Sequence, residues 1–83
     1  MVELNLARNS LTGLPPNLGI MANLEVLNLS NNKIVEVPPS ISQLTKLKKL
    51  LLQENHLVLV PSAIGELGLL TELSLSKNRI TEI

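Results

Sequence analysis

Aliphatic and polar positions recur along this chain at a fixed interval of 23 residues. The pattern Leu-x-Leu-x-x-Asn-x-(Leu/Ile) occurs four times without insertion or deletion, beginning at Leu4, Leu27, Leu50 and Leu73. Its leucines alternate with a period of two, which predicts a short strand with one buried face. In three copies an apolar residue and a proline then lead into apolar positions spaced by three, which predicts a short 3₁₀ or α turn that starts near the proline.

Each copy opens with an apolar residue, and this divides the chain into units 1–23, 24–46, 47–69 and a partial unit 70–83. We expect one repeat array and a single domain over residues 1–83, because this length suits one small domain and not two. Strands joined by crossovers of this length pair in parallel, and such connections are right-handed. The sequence therefore predicts an α/β coil with a parallel sheet on one side, 3₁₀ or α turns on the other, and aliphatic layers between.

An asparagine stands where each copy leaves its strand and bends inward, at Asn9, Asn32, Asn55 and Asn78. Backbone N–H and C=O groups lose their ladder partners there, and a side-chain amide offers both donors and an acceptor to replace them. A buried polar group left unpaired costs about 1–3 kcal/mol. We interpret the four amides as a structural ladder and not as catalytic groups.

These motifs resemble the leucine-rich repeat family over the whole chain. The 23-residue unit with its Leu-Pro pair is similar to the intracellular class, found in Scribble-like scaffolds and Ras-group-related repeat proteins. Residues 11–19 are also similar to the plant extracellular subtype, whose unit is one residue longer. The resemblance implies a right-handed solenoid that binds proteins on its concave sheet, as a scaffold in signal transduction. It also implies a cytoplasmic location or, alternatively, the extracellular part of a plant-type receptor.

Side chains beside the buried leucines are expected to face outward, and this set includes Val2 and Ser30. Val26 and Leu51 are apolar where their neighbours are polar, which is the anatomy of an interaction hot spot, although scattered apolar surface residues are also common. The predicted partner-binding residues are Val26, Asn28, Lys49, Leu51, Gln53, Glu72 and Ser74.

The resemblance alone suggests a small GTPase or a phosphatase subunit as the partner. The alternative is that the chain is a non-catalytic segment of a larger receptor kinase, ligase or GTPase-containing protein. The two hypotheses belong to different classes of protein, and nothing among these residues separates them.

Charge and composition narrow the classes of function. Seven basic and seven acidic residues leave no net charge, which argues against nucleic-acid and anionic-membrane partners. No apolar run reaches the roughly 20 residues of a membrane span. Without Cys or Asp, and with His56 as the only histidine, we expect no enzyme activity, metal or cofactor. Lys33, His56 and Arg79 each follow a ladder asparagine, and a solvated edge is favoured over a basic rim for an acidic partner.

Natural solenoids cover the inner faces of their end units with atypical polar caps, and this sequence contains none. We therefore expect a fragment of a longer array, a truncated gene product or a chain that stacks end to end, and a fragment or truncation is favoured. Stacking is considered because bare terminal strands invite pairing. For the isolated chain this predicts marginal stability or concentration-dependent self-association.

Overall fold

The computed structural model describes residues 3–14, 18–60 and 62–81. Met1 and Val2 lie outside these ranges, as do Pro15 and Pro61, which were predicted to start two of the turns. Short strands alternate with short 3₁₀ helices, labelled η, in the order β1 (Glu3–Asn5), η1 (Leu18–Met21), β2 (Val26–Asn28), η2 (Pro39–Gln43), β3 (Lys49–Leu51), η3 (Ser62–Glu66) and β4 (Glu72–Ser74). We call each strand, with the chain that follows it up to the next strand, a rung.

The four strands form one sheet in the order β1-β2-β3-β4, and every neighbouring pair is parallel. The predicted parallel sheet is therefore confirmed. Its register aligns Leu4, Leu27, Leu50 and Leu73, one from each rung. Each crossover carries a 3₁₀ helix, and a connection of that length is what parallel pairing requires.

The core lies between the sheet and the helices. It consists mainly of aliphatic side chains from the second and third rungs. Leu27 and Leu50 from the strands are fully buried, as are Ile41 and Leu44 from the second helical turn. The chain has no Phe, Tyr or Trp, so thin layers of Leu, Ile and Val supply the apolar area that aromatic rings provide elsewhere.

Burial is greatest in the second and third rungs. Leu4 of β1 is half-buried and Leu73 of β4 is 37% exposed, whereas the equivalent leucines of β2 and β3 are buried. In the described residues β1 and β4 have a strand neighbour on one side only, which accounts for the difference.

Proline conformation and backbone hydrogen bonds determine where the described 3₁₀ helix η2 begins and how the chain leaves it. Pro38 has a φ of −69° and is followed by Pro39 in the first turn of η2, where a missing N–H costs no hydrogen bond. After the helix, the N–H of Leu47 bonds the carbonyl of Leu44 at 3.0 Å and returns the chain toward β3. Across the described ranges, none of the helices has the length and apolar character needed to cross a membrane.

Candidate functional site

The parallel register places six of the seven predicted partner-binding residues in two rows that cross β2, β3 and β4. Successive side chains of a strand point to opposite faces, and the leucine between the two rows is buried on both β2 and β3. Both rows therefore lie on the face of the sheet that points away from the core. Neighbouring strands are about 4.8 Å apart, so side chains within a row can contact one another.

The first row pairs Val26 with Lys49 and Lys49 with Glu72. Lys49 Nζ lies 3.7 Å from Glu72 Oε1, and the two side chains are 51% and 53% exposed. An ion pair so well solvated contributes at most about 1 kcal/mol, so both groups can exchange this contact for a partner's charges. The half-buried Val26 lies directly beside them.

The second row pairs Asn28 with Leu51 and Leu51 with Ser74, and all three side chains are half-buried. Val26 and Leu51 are thus diagonal neighbours on adjacent strands and not direct cross-strand partners. Diagonal pairs remain within reach of long side chains. The register therefore places the two apolar residues on the same face of adjacent strands, each directly opposite a polar residue.

Asn28 is hydrogen-bonded to Ser30, and Ser30 does not lie where the sequence predicted. Asn28 Oδ1 accepts hydrogen bonds from the Ser30 N–H at 3.1 Å and from Ser30 Oγ at 2.8 Å. The expectation that Ser30 faces outward is wrong: it is only 6% exposed, because the chain already bends inward after Leu29 and turns the hydroxyl back to Asn28. A partner would meet Asn28 with its carbonyl oxygen already engaged.

Gln53, the seventh predicted residue, lies two positions beyond β3 and is half-buried. Its backbone carbonyl accepts hydrogen bonds from the Asn31 N–H at 3.1 Å and from Asn55 Nδ2 at 3.3 Å. Its side-chain Oε1 is buried and has no hydrogen-bond partner among the described residues. A buried acceptor without a hydrogen-bond partner is energetically costly.

Below the end of the strands, the ladder asparagines tie successive rungs together. Asn32 Oδ1 accepts hydrogen bonds from the N–H groups of Asn9 at 3.0 Å and Leu11 at 2.9 Å. Asn32 Nδ2 donates to the carbonyls of Leu6 at 3.0 Å and Leu29 at 2.9 Å. One amide thus closes its own turn and the turn of the preceding rung.

The two later asparagines repeat these contacts. Asn55 Nδ2 donates to the carbonyls of Leu29 at 2.9 Å and Leu52 at 3.0 Å, and Asn78 Nδ2 donates to Leu52 at 2.8 Å. Asn32 and Asn55 are buried, whereas Asn9 is exposed and donates within its own turn alone among the described residues. Every bond here is to the backbone, so the column has a structural chemistry and no reactive group.

A second periodic feature was missed by the sequence analysis. The residue immediately before each ladder asparagine has a left-handed backbone, with φ values of 56° to 63°, at Arg8, Asn31, Glu54 and Lys77. Non-glycine residues rarely adopt this region, and asparagine does so more readily than others. Only Asn31 gave a sequence signal, because the other three residue types show no preference for such turns.

The column Lys33, His56 and Arg79 lies just beyond the asparagines on a further backbone ladder. The Lys33 N–H bonds the carbonyl of Leu11 at 2.7 Å, and the Arg79 N–H bonds the carbonyl of Leu57 at 2.9 Å. Within residues 3–14, 18–60 and 62–81, the three side chains form no ion pair. No group of His, Cys, Asp or Glu in the same ranges could hold a metal ion.

An apolar groove of about 430 Å³, which the sequence analysis did not identify, lies between this further ladder and the 3₁₀ helices η2 and η3. Val35, Val58 and Leu59 line it and are 52%, 43% and 47% exposed. The signal was present in the sequence, since Val35 and Val58 are apolar at positions that alternate with the buried Ile34 and Leu57.

Comparison with known proteins agrees with this architecture. The family description "Leucine-rich repeat region" matches residues 3–82. A solved leucine-rich repeat protein of Leptospira interrogans is 44% identical and superimposes with a TM-score of 0.89 over 94% of this chain. The match covers 20% of that protein, so this chain spans about a fifth of its length. Curated proteins give no match. With its family description matched almost end to end and its rungs superimposed on those of a solved relative, the chain belongs to the leucine-rich repeat family.

Proposed function

We propose that this chain binds a partner protein on the exposed face of its four-stranded sheet. Leucine-rich repeat regions generally mediate protein–protein interaction, and the family is generally non-catalytic. The observation that carries the proposal is the diagonal placement of Val26 and Leu51 on adjacent strands, beside the solvated Lys49–Glu72 pair. An apolar centre bordered by polar groups that can be re-paired is the usual arrangement of a binding hot spot.

The shape of the coil is part of the proposal. Crossovers between parallel strands are right-handed in nearly all proteins, so we assign a right-handed solenoid. Helical turns need more lateral room than strands spaced about 4.8 Å apart, which would curve the array with the sheet inside and the 3₁₀ helices outside. A concave sheet lets several rungs contact one partner at once.

For the biological setting we propose a scaffold in signal transduction, in the cytoplasm, of the 23-residue intracellular class. Its partner would be a small GTPase or a phosphatase subunit. The second hypothesis is a non-catalytic repeat segment within a larger receptor kinase, ligase or GTPase-containing protein. In a plant-type receptor the same segment would be extracellular.

Paired substitution on the sheet face tests the binding proposal. In the full-length protein that contains these repeats, Val26→Ala with Leu51→Ala should weaken capture of the partner by about tenfold or more, corresponding to at least 1.4 kcal/mol. Titration with a purified small GTPase and a purified phosphatase subunit would then distinguish the partner classes.

The matched control is Leu69→Ala, which removes a similar apolar side chain, 52% exposed, away from the strands. It should leave binding unchanged. Equal binding by the parent and the paired sheet-face variant would refute the sheet as the docking surface. Unfolding in urea should show that the paired variant keeps its fold, because neither side chain is fully buried.

We also propose end-to-end self-association of the 83-residue chain when it is studied alone. Leu73 is 37% exposed on β4, whose outer side has no strand neighbour among the described residues. Unpaired strand edges with apolar side chains favour pairing with another chain. Sedimentation velocity should show a weight-average mass that rises with concentration and falls in Leu73→Lys, whereas a monomer at every concentration would contradict the proposal.

A further inference from the structure

The structure contains a second parallel ladder away from the sheet, formed by residues 33–35, 56–58 and 79–81, which we call the outer ladder. Its rungs are joined by backbone bonds from the His56 N–H to the Ile34 carbonyl at 2.9 Å and from the Thr81 N–H to the Val58 carbonyl at 2.9 Å. These contacts fix three consecutive rungs at the spacing of neighbouring strands. The three segments of the outer ladder are therefore linked by backbone hydrogen bonds, one between the first and second segments and two between the second and third.

Side chains alternate along each rung of the outer ladder. Lys33 and Val35 are exposed on either side of the fully buried Ile34, and the half-buried His56 and the exposed Val58 flank a buried leucine in the same way. The third rung presents an exposed arginine and an exposed threonine. Two parallel rows result: a cation row, whose charges are those of Lys33 and Arg79 with His56 between them, and an apolar row of Val35 and Val58 that ends at the hydroxyl-bearing Thr81.

The cation row differs electrostatically from the lysines of the sheet. Lys48, Lys49 and Lys77 each lie within 4.0 Å of a glutamate on a neighbouring strand or turn. Among the described residues Lys33 and Arg79 lack the glutamate partner that each of these three lysines has, so they attract anionic groups more strongly.

The apolar row opens into the groove described above, where Val37 and Pro39 continue the apolar lining. Glu36 also lines this groove. Its carboxylate disfavours acidic side chains on the groove side and therefore directs them toward the cation row. The two sides of the outer ladder therefore differ in chemistry: the cation row is basic, whereas the apolar row and its groove are hydrophobic.

We propose that the outer ladder binds an extended segment of a partner protein in which acidic and aliphatic residues alternate. In an extended chain successive side chains point to opposite sides. A segment crossing the rungs between the two rows would turn its carboxylates to Lys33, His56 and Arg79 and its aliphatic side chains to Val35, Val58 and the groove. This site is distinct from the sheet face and does not depend on the sheet-face proposal.

Fluorescence anisotropy with labelled synthetic peptides tests this site on the full chain. A peptide that alternates glutamate with leucine should bind, and its affinity should fall as salt is raised. Replacing its glutamates by lysine, or its leucines by serine, should each reduce the affinity by about tenfold or more. No measurable binding of the glutamate–leucine peptide, or equal binding of the lysine–leucine peptide, overturns the proposal.

Two variants locate the binding. Lys33→Ala with Arg79→Ala, and separately Val35→Ser with Val58→Ser, should each weaken the glutamate–leucine peptide by about tenfold. The matched control, Lys46→Ala with Lys48→Ala, removes the same charge from residues that line neither the groove nor the surface around His56 and Arg79, and it should leave the affinity unchanged.

Equal loss in the control variant would mean that net charge, and not the outer ladder, governs binding, which would overturn the assignment. If the chain dimerises and the Val35→Ser, Val58→Ser variant does not, the outer ladder binds a second copy of this chain. That result would also contradict the assignment to a partner's acidic and aliphatic segment. The paired Val26 and Leu51 variant should bind the peptide normally, so the two surfaces can fail separately.

Discussion

At the scale of single residues, the ladder asparagines show how one side chain replaces several backbone partners. Asn55 is 4% exposed, its Nδ2 serves the carbonyls of Leu29 and Leu52, and its Oδ1 accepts from the Ile34 N–H at 3.1 Å. All these backbone groups lie where no strand ladder can satisfy them. The energetic importance of such an amide grows with the number of buried groups it pairs.

Asn55→Ala should therefore lower the free energy of unfolding by at least about 3 kcal/mol, because several buried polar groups lose their partners together. Urea unfolding followed by circular dichroism measures this. Asn9→Ala is the control from the same column, and it should cost much less because Asn9 is exposed and serves its own turn. Equal losses in the two variants would show that the bridging contacts are not what stabilises the array.

The residues with left-handed backbones before the ladder asparagines show why some residue-scale features could not be predicted from the sequence. The asparagine column was visible because a single residue type recurs in it at an interval of 23. The preceding position holds Arg8, Asn31, Glu54 and Lys77, which share only polarity and exposure, since the requirement there is on the backbone. A conformation that many residues tolerate at modest cost leaves no pattern in composition.

Glu54→Asn should raise the free energy of unfolding by about 0.5–1 kcal/mol, since asparagine relieves part of the cost of about 1–2 kcal/mol that a left-handed residue bears. Loss of the Lys77–Glu54 pair, 4.0 Å apart and exposed, should matter little. Glu54→Gln removes the same charge without favouring the left-handed backbone, so it should not stabilise. If the two variants unfold at the same urea concentration, the backbone explanation is wrong.

At the scale of elements, the spacing of apolar residues in the sequence was sufficient to predict the strands and most of the helical turns. A period of two predicted strands around Leu27 and Leu50, and spacings of three predicted the turns that the structure has as 3₁₀ helices. The candidate sheet rows followed from the same alternation. The apolar groove did not, because the apolar character of Val35 and Val58 is visible in the sequence but their exposure is not, and η2 and η3 complete the groove only in the folded chain.

Truncation within one leucine column should measure how much each layer depends on its neighbours. Leu50→Ala should cost about 2–5 kcal/mol, since a fully buried leucine leaves a cavity that rigid layers cannot fill. Leu73→Ala, at the aligned position of β4 and 37% exposed, should cost clearly less. Equilibrium unfolding of the two single variants compares them, and a larger loss at Leu73 would contradict the layered core.

At the scale of the whole molecule, stability is distributed as in a one-dimensional stack, where each layer contacts its neighbours alone. The described sheet contacts join only consecutive strands, and the helices likewise pack on the next helix in order. Interior rungs are therefore stabilised from two sides. Rungs with one neighbour among the described residues are stabilised from one.

Hydrogen exchange should reveal this distribution in the isolated chain. The Leu29 N–H, bonded to the Leu51 carbonyl at 2.8 Å between two buried rungs, should exchange more slowly than the Leu6 N–H, bonded to Asn28 at 2.8 Å. The two bonds have the same length, so a difference in rate reports local opening and not bond geometry. Uniform rates over all four strands would indicate a single cooperative unit.

The amide bridges also run in one direction along the chain. The N–H groups of Leu11, Ile34 and Leu57 each find their acceptor 21 residues later, on the asparagine of the following rung. During synthesis, a turn of this chain therefore stays incomplete until the ribosome has added the next repeat. The nascent coil would grow with one open turn always at its leading edge, and a pause in translation between repeats would leave that turn exposed to chaperones.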